Sequence, residues 1–152
     1  MIRTIKALLV LCLYLQIFGV EYTYADVKPG VTIDQAWIRL SPLKNRPSAA
    51  YALITGGKSD DLLDSAASPY FKRIEIHYSR MTDWGMTMEK LSSIAIPASQ
   101  VVKLEPGGYH LMLFEAHDLP KKPSKTLPIT LHFKNGGAHV IEFTIKPFGT
   151  MH

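Results

Sequence analysis

His77, Met88, His110 and Met112 fall in the spacing H-x10-M-x21-H-x-M, and the chain's one cysteine, Cys12, lies far from them in an apolar N-terminal stretch. Two imidazoles and two thioethers without a thiolate make a poor zinc site. Thioether sulfur is soft and polarizable and has little affinity for hard cations, whereas Cu(I) accepts it together with neutral imidazole. These four residues are therefore suited to holding a soft monovalent ion. They are not suited to blue-copper electron transfer, which uses a Cys thiolate beside two His.

Such a site needs elements that bring distant residues together, and the pattern supplies strands. From Leu127 the run Leu-Pro-Ile-Thr-Leu-His-Phe alternates, with Leu127, Ile129, Leu131 and Phe133 on one face and Thr130 and His132 on the other. Asn135-Gly136-Gly137 predicts a turn. Val140, Glu142 and Thr144 against Ile141, Phe143 and Ile145 then predict a strand that completes a hairpin before Pro147. Earlier strands are expected over 31–40, 49–54, 62–67, 73–77, 87–92, 101–104 and 109–114. Pro42, Pro47, Gly56-Gly57, Pro69, Gly85, Pro97 and Pro106-Gly107-Gly108 separate them. A single helical turn is expected near Ser68 to Phe71. Many short strands between turn signals, with no internal repeat, predict an all-β antiparallel sandwich or barrel.

On this map His110 and Met112 leave one strand face about 7 Å apart, while Leu111 and Leu113 turn toward the core. Met86 and Met88 are likewise two apart, after the Trp84-Gly85 turn, and His77 ends the strand that leads into it. A hairpin from His77 to Met88 is then able to fold its methionine over the strand of His110 and Met112. Taken singly, a methionine in a strand is usually core filler, and a histidine is usually a surface or half-buried hydrogen-bonded residue. The set argues otherwise. Met81, Met86, Met88 and Met112 crowd into 32 residues spanned by the first and last of them, along with His110 and close to His77, while the flanking strands use Leu, Ile, Val and Phe. Pattern alone leaves both a copper site and a coincidental methionine cluster open.

The compartment is read from the first residues. Arg3 and Lys6 form a short basic start, the run from Ala7 to Val20 is almost wholly apolar, and Thr23-Tyr24-Ala25 puts small residues at the two positions a signal peptidase reads. Residues 1–25 are expected to be a cleaved signal peptide and residues 26–152 a single copper-binding domain. The apolar run is shorter than the ~20 residues of a spanning helix. Cys12 follows Leu11 in the middle of that run, where no lipobox would place it, so lipidation is not expected. Removing Arg3, Lys6 and Glu21, two cations and one anion, lowers the net charge from +4 to +3. No stretch joins clustered Lys and Arg to stacking aromatics, so nucleic acid is not expected as a partner. Lys121, Lys122 and Lys125 around Pro120 and Pro123 read as a solvated loop. An enzyme is not expected, because no Ser-His-Asp or Cys-His constellation appears and Asp60-Asp61 reads as a turn.

The residues around the spacing carry a further signal. Pro106-Gly107-Gly108-Tyr109-His110-Leu111-Met112-Leu113 surrounds its second half, and Ala36-Trp37-Ile38-Arg39, Ser48-Ala49-Ala50-Tyr51, Asp61-Leu62-Leu63, Ala67-Ser68-Pro69 and Leu127-Pro128-Ile129-Thr130-Leu131 extend it. Together they resemble the PCuAC-type periplasmic copper chaperones over nearly the whole mature chain. The resemblance implies a cupredoxin-like Greek-key β-sandwich that binds one Cu(I) through His77, Met88, His110 and Met112. It implies a periplasmic carrier, expected to be a monomer, that delivers copper toward the dinuclear copper centre of cytochrome c oxidase. The implied partners are the copper-bearing subunit of that oxidase and a Sco-type thiol protein.

Two departures bear on the site. Many family members carry Met directly after the first His, where this chain has Tyr78. Some carry a His- and Met-rich tail that takes a second copper, whereas this sequence ends at Thr150-Met151-His152, so a second site of that kind is not expected. Met81 and Met86 are candidate auxiliary ligands, and Trp84 and Tyr109 are expected to cover the site. His117, His132, His139 and His152 are expected on the surface. Two other functions use the same features: a copper-buffering or resistance protein with the same ligands, and a metal-free sandwich whose methionine patch binds a partner.

Overall fold

The computed structural model describes residues 30–43, 45–120 and 125–146. The expected signal peptide, the new N-terminus at Asp26, Lys121 and Lys122, and His152 lie outside the described residues. Ten strands form: β1 (Thr32–Arg39), β2 (Ser48–Thr55), β3 (Asp61–Ala67), β4 (Phe71–Thr82), β5 (Gly85–Leu91), β6 (Ile94–Ile96), β7 (Val101–Leu104), β8 (Tyr109–Ala116), β9 (Thr126–Phe133) and β10 (Gly137–Lys146). They pair in the order β5-β4-β8-β7-β2-β1-β10-β9-β3-β6, with β8 also pairing β2. The pairings are antiparallel except β1 with β10 and the single contact of β7 with β8. Leu63, Ile94 and Ile96 from one end of this order share a core with Ile76, Leu111 and Leu113 from near the other. The sheet thus closes over itself as the expected all-β, cupredoxin-like β-sandwich.

Alternation decides which side chains fill that core. In β9 the residues Leu127, Ile129, Leu131 and Phe133 are all buried, and in β10 Phe143 is buried while Val140, Glu142 and Thr144 face solvent. Period-two patterning of this kind holds the register, since a one-residue slip would turn every apolar side chain outward. The β9–β10 turn is held from outside the hairpin. The buried Asp61 carboxylate accepts the backbone N–H groups of Leu62, Asn135 and Gly136 at 2.8, 2.9 and 2.8 Å. Its neighbour Asp60 accepts the Ala98 N–H at 2.8 Å. The Asp60-Asp61 pair is thus a turn-tethering device at the start of β3.

Three differences from the sequence-based expectations have local causes. No helical turn forms at Ser68 to Phe71. These two residues close a β-bridge, and the Ser68 hydroxyl donates to the Pro128 carbonyl at 2.7 Å, which ties the reversal to β9. The strand β6 is only three residues long, too short to show periodicity, and forms because Ile94 and Ile96 bury against β3. The third difference governs the site. The strand expected to end at His77 continues to Thr82, because β5 pairs with it along its length from Ile76 to Thr82. The chain reverses at Asp83-Trp84, and Gly85 takes φ +110°, a conformation that residues with a side chain rarely adopt.

Candidate metal centre

The sheet face opposite the core collects the sequence-predicted ligands. Along β4 the core side holds Ile74 and Ile76, so Arg73, Glu75, His77, Ser79 and Met81 share the other face by strand alternation. Across β8 the pairings His77 with His110, Glu75 with Met112 and Arg73 with Phe114 put those partners on it too. Across β5 the pairings Ser79 with Met88, Met81 with Met86 and His77 with Lys90 do the same. All four predicted ligands therefore share one face.

His77 and His110 are directly opposite each other. Their ring centroids lie 6.0 Å apart, a gap that accommodates one ion with metal–imidazole bonds of about 2 Å on each side. The Nε2 of His77 lies 2.9 Å from Glu75 Oε2. A carboxylate only accepts, so Nε2 carries the proton, and in the neutral ring Nδ1 carries the lone pair. That Nδ1 is buried and has no hydrogen-bond partner, a state that a metal ion would satisfy. His110 is arranged the other way round. Its Nδ1 donates to the Gly108 carbonyl at 3.0 Å, which leaves Nε2 with the lone pair. Burial of His110, at 4% exposure, lowers its pKa from the ordinary histidine value, and His77 and Arg39 add to that. The ring is thereby kept neutral, as a ligand must be.

Glu75 is the residue that sequence reasoning missed. Its carboxylate bonds His77, takes Lys90 Nζ at 2.9 Å and lies 3.4 Å from Arg73 Nε. The His77 hydrogen bond, then Lys90 and Arg73, pull its pKa down to about 2. A ligating histidine steadied by a carboxylate has a fixed ring orientation and tautomer. The signal was available: Glu75 stands two residues before His77, so any strand through both puts them on one face. Tyr51, whose ring centroid lies 6.3 Å from that of His110, and Phe114, 6.5 Å from that of His77, wall the pair. The Arg39 guanidinium donates to the Tyr51 hydroxyl at 2.8 Å.

The two methionines are placed differently. Met112 is half-buried between Glu75 on β4 and the small Ala49 on β2, diagonal to His77. Met88 is 50% exposed and lies across β4 from β8, opposite Ser79. The expected fold of the hairpin over the His110 strand does not form here, because β4 intervenes between β5 and β8. Past Ser79, whose N–H reaches the Gly108 carbonyl at 3.0 Å, β8 turns away and β4 pairs only with β5. A ribbon of two strands twists and bends more easily than a sheet interior, so Met88 is carried on the most adaptable part of this face.

The expected cover is also different. Trp84 is 98% exposed at the hairpin tip and shields nothing. Tyr109 pairs with Tyr78 on the other side of the strands, with ring centroids 4.8 Å apart, so Tyr51 and Phe114 take that role. His117, His132 and His139 are half-buried rather than fully at the surface. Ring contacts explain one case: His139 meets Phe133 edge-on at 5.5 Å.

The family described as "Putative lipoprotein LpqE-like" matches residues 31–145, three-quarters of the sequence. The chain belongs to the LpqE-like family, of the PCuAC type. A curated relative of this LpqE-like chain, "Putative lipoprotein Lxx21020" from Leifsonia xyli, is 25% identical over 121 residues, 78% of this chain and 71% of the relative. Among solved structures, CuI-DR1885 from Deinococcus radiodurans is 26% identical, with 84% of this chain and 85% of that one covered, at a TM-score of 0.57. The copper-bound PCuAC domain from PmoF2 superposes at a TM-score of 0.64 over 77% of this chain and 92% of its own, and at 20% identity it shows the shared fold.

Proposed function

We propose that this protein is an exported copper chaperone that carries one Cu(I) on His77, Met88, His110 and Met112. The observation that carries the reading is the facing pair of imidazoles, each with one nitrogen committed to an acceptor and the other left with its lone pair, beside the half-buried thioether of Met112. Likeness to solved PCuAC domains, one of them with Cu(I), supports copper as the cargo. Met88 joins when the β4–β5 ribbon bends toward His77. A neutral, soft ligand set stabilises the reduced ion and releases it by ligand exchange, one donor at a time, which suits transport rather than electron transfer or catalysis.

Export follows from the leader, residues 1–25, which is removed, and the relative named as a lipoprotein is in keeping with an exported protein. The compartment is the periplasm, and the recipient is the dinuclear copper centre of cytochrome c oxidase, reached directly or through a Sco-type thiol protein. The deciding experiment is an anaerobic Cu(I) titration of the exported chain against a competing chelator, beside a His110→Ala/Met112→Ala variant. Tight one-to-one binding that the variant loses is the expected result. Absence of binding by the wild type would sink the proposal. Loss of oxidase activity without copper sensitivity in a deletion strain separates delivery from copper buffering.

A further inference from the structure

The free end of the β4–β5 ribbon has two unlike faces. One carries Arg80, Thr82, Thr87 and Glu89, a polar set ordinary for an exposed strand pair. The other, continuous with the His77 face, carries Met88 opposite Ser79 and Met81 and Met86 beyond it. Met81 and Met86 are directly opposite, which puts their Cβ atoms about 5 Å apart. Met88 follows Met86 on the same face about 7 Å along the strand. The three are 72%, 61% and 50% exposed, so they fill no core. Flexible thioethers at these separations are able to reach a common point above the strands, and Glu75, a carboxylate on the same face of β4, is engaged by His77 and Lys90.

We infer that Met81, Met86 and Met88 form a second, weaker Cu(I) site at the surface, on which the ion is received before it moves to His77 and His110. All-thioether donors select a soft monovalent ion. Met88 is the ligand common to both sites. The ion keeps the Met88 sulfur, exchanges Met81 and Met86 for the imidazole lone pairs and gains Met112. Two steps replace a thioether by an imidazole and the third adds Met112 as a fourth neutral donor, with no electron or proton transferred. The onward path rests on the function proposed above, whereas the surface site stands on its own geometry.

The test uses Ag(I), a redox-inert stand-in for Cu(I), with the protein carrying 13C-methyl methionine and its Met methyl signals followed by NMR. In the wild type the first equivalent is expected to move Met88 and Met112, with Met81 and Met86 left in place once the ion has passed on. In His110→Ala/Met112→Ala, Ag(I) is expected to move Met81, Met86 and Met88 together, and adding Met81→Leu/Met86→Leu should abolish this binding. Leu replaces Met at nearly constant volume on an exposed face, and an unchanged urea midpoint confirms that the fold is kept. Met81 and Met86 signals that stay still under excess Ag(I) in His110→Ala/Met112→Ala, while the wild type binds a first equivalent tightly, would overturn the surface site and leave the chaperone reading intact. Movement of all three with no histidine-dependent equivalent would establish the surface site and overturn the chaperone reading instead.

Discussion

His77 and His110 face each other across β4 and β8 with opposite nitrogens committed: Nε2 of His77 to the Glu75 carboxylate, and Nδ1 of His110 to the Gly108 carbonyl. One acceptor is a side chain that mutation can remove, and the other is backbone. The two rings are therefore separable by experiment.

Glu75→Ala should weaken Cu(I) binding about ten- to a hundredfold, the usual effect of losing an outer partner of a ligating histidine. The chelator-competition titration measures it, with circular dichroism to check that the strands persist. Unchanged affinity would show that Glu75 does not position His77.

The pH dependence of the copper-free protein has a definite sign. Burial lowers the His110 pKa in the fold, so below the ordinary histidine value the unfolded chain binds the proton more readily. Stability should fall as pH drops from 7 toward 5, and the fall should be shallower in His110→Gln. His77 and Arg39 are the charged or titratable groups acting on this ring, and Glu75, with a pKa of about 2, stays ionised across that window. Thermal unfolding midpoints in matched buffers would reveal it; parallel slopes for the two proteins would count against the burial argument.

Mild peroxide should oxidise Met81, Met86 and Met88 before Met112, because the first three are exposed and the last is half-buried. Peptide mass mapping gives the order. Sulfoxide at Met88 or Met112 replaces a soft donor with a polar oxygen and should weaken Cu(I) binding. Full affinity after both are oxidised would remove them from the site.

Asp61→Ala should destabilise the copper-free protein by about 2 to 3 kcal/mol, since three backbone N–H groups lose a charged acceptor. Urea unfolding measures this, and Cu(I) affinity should be unchanged because the Asp61 carboxylate bonds Leu62, Asn135 and Gly136, none of them on β4, β5 or β8.

Trp84→Ser should change stability by no more than about 0.5 kcal/mol and leave tight Cu(I) binding intact, because the ring makes no cover. A large loss of affinity would instead mean that the tip folds down over the ion.

Much of this protein follows from its sequence alone. Apolar alternation in β9 and β10 set which side chains enter the core, because a pleated strand offers only two faces and only one can be dry. The spacing of His77, Met88, His110 and Met112 and the lack of a nearby thiolate set the preference for a soft ion, because donor chemistry belongs to the residue type. What lay beyond reach were relations between strands. The bonds of His77 to Glu75 and of His110 to Gly108 are local, each spanning two residues, but that β4 runs on past His77 to Thr82, and that it separates Met88 from β8, depend on pairing and register. Those come from the free energy of the whole sheet, summed over partners distant in the chain, and no local pattern carries them.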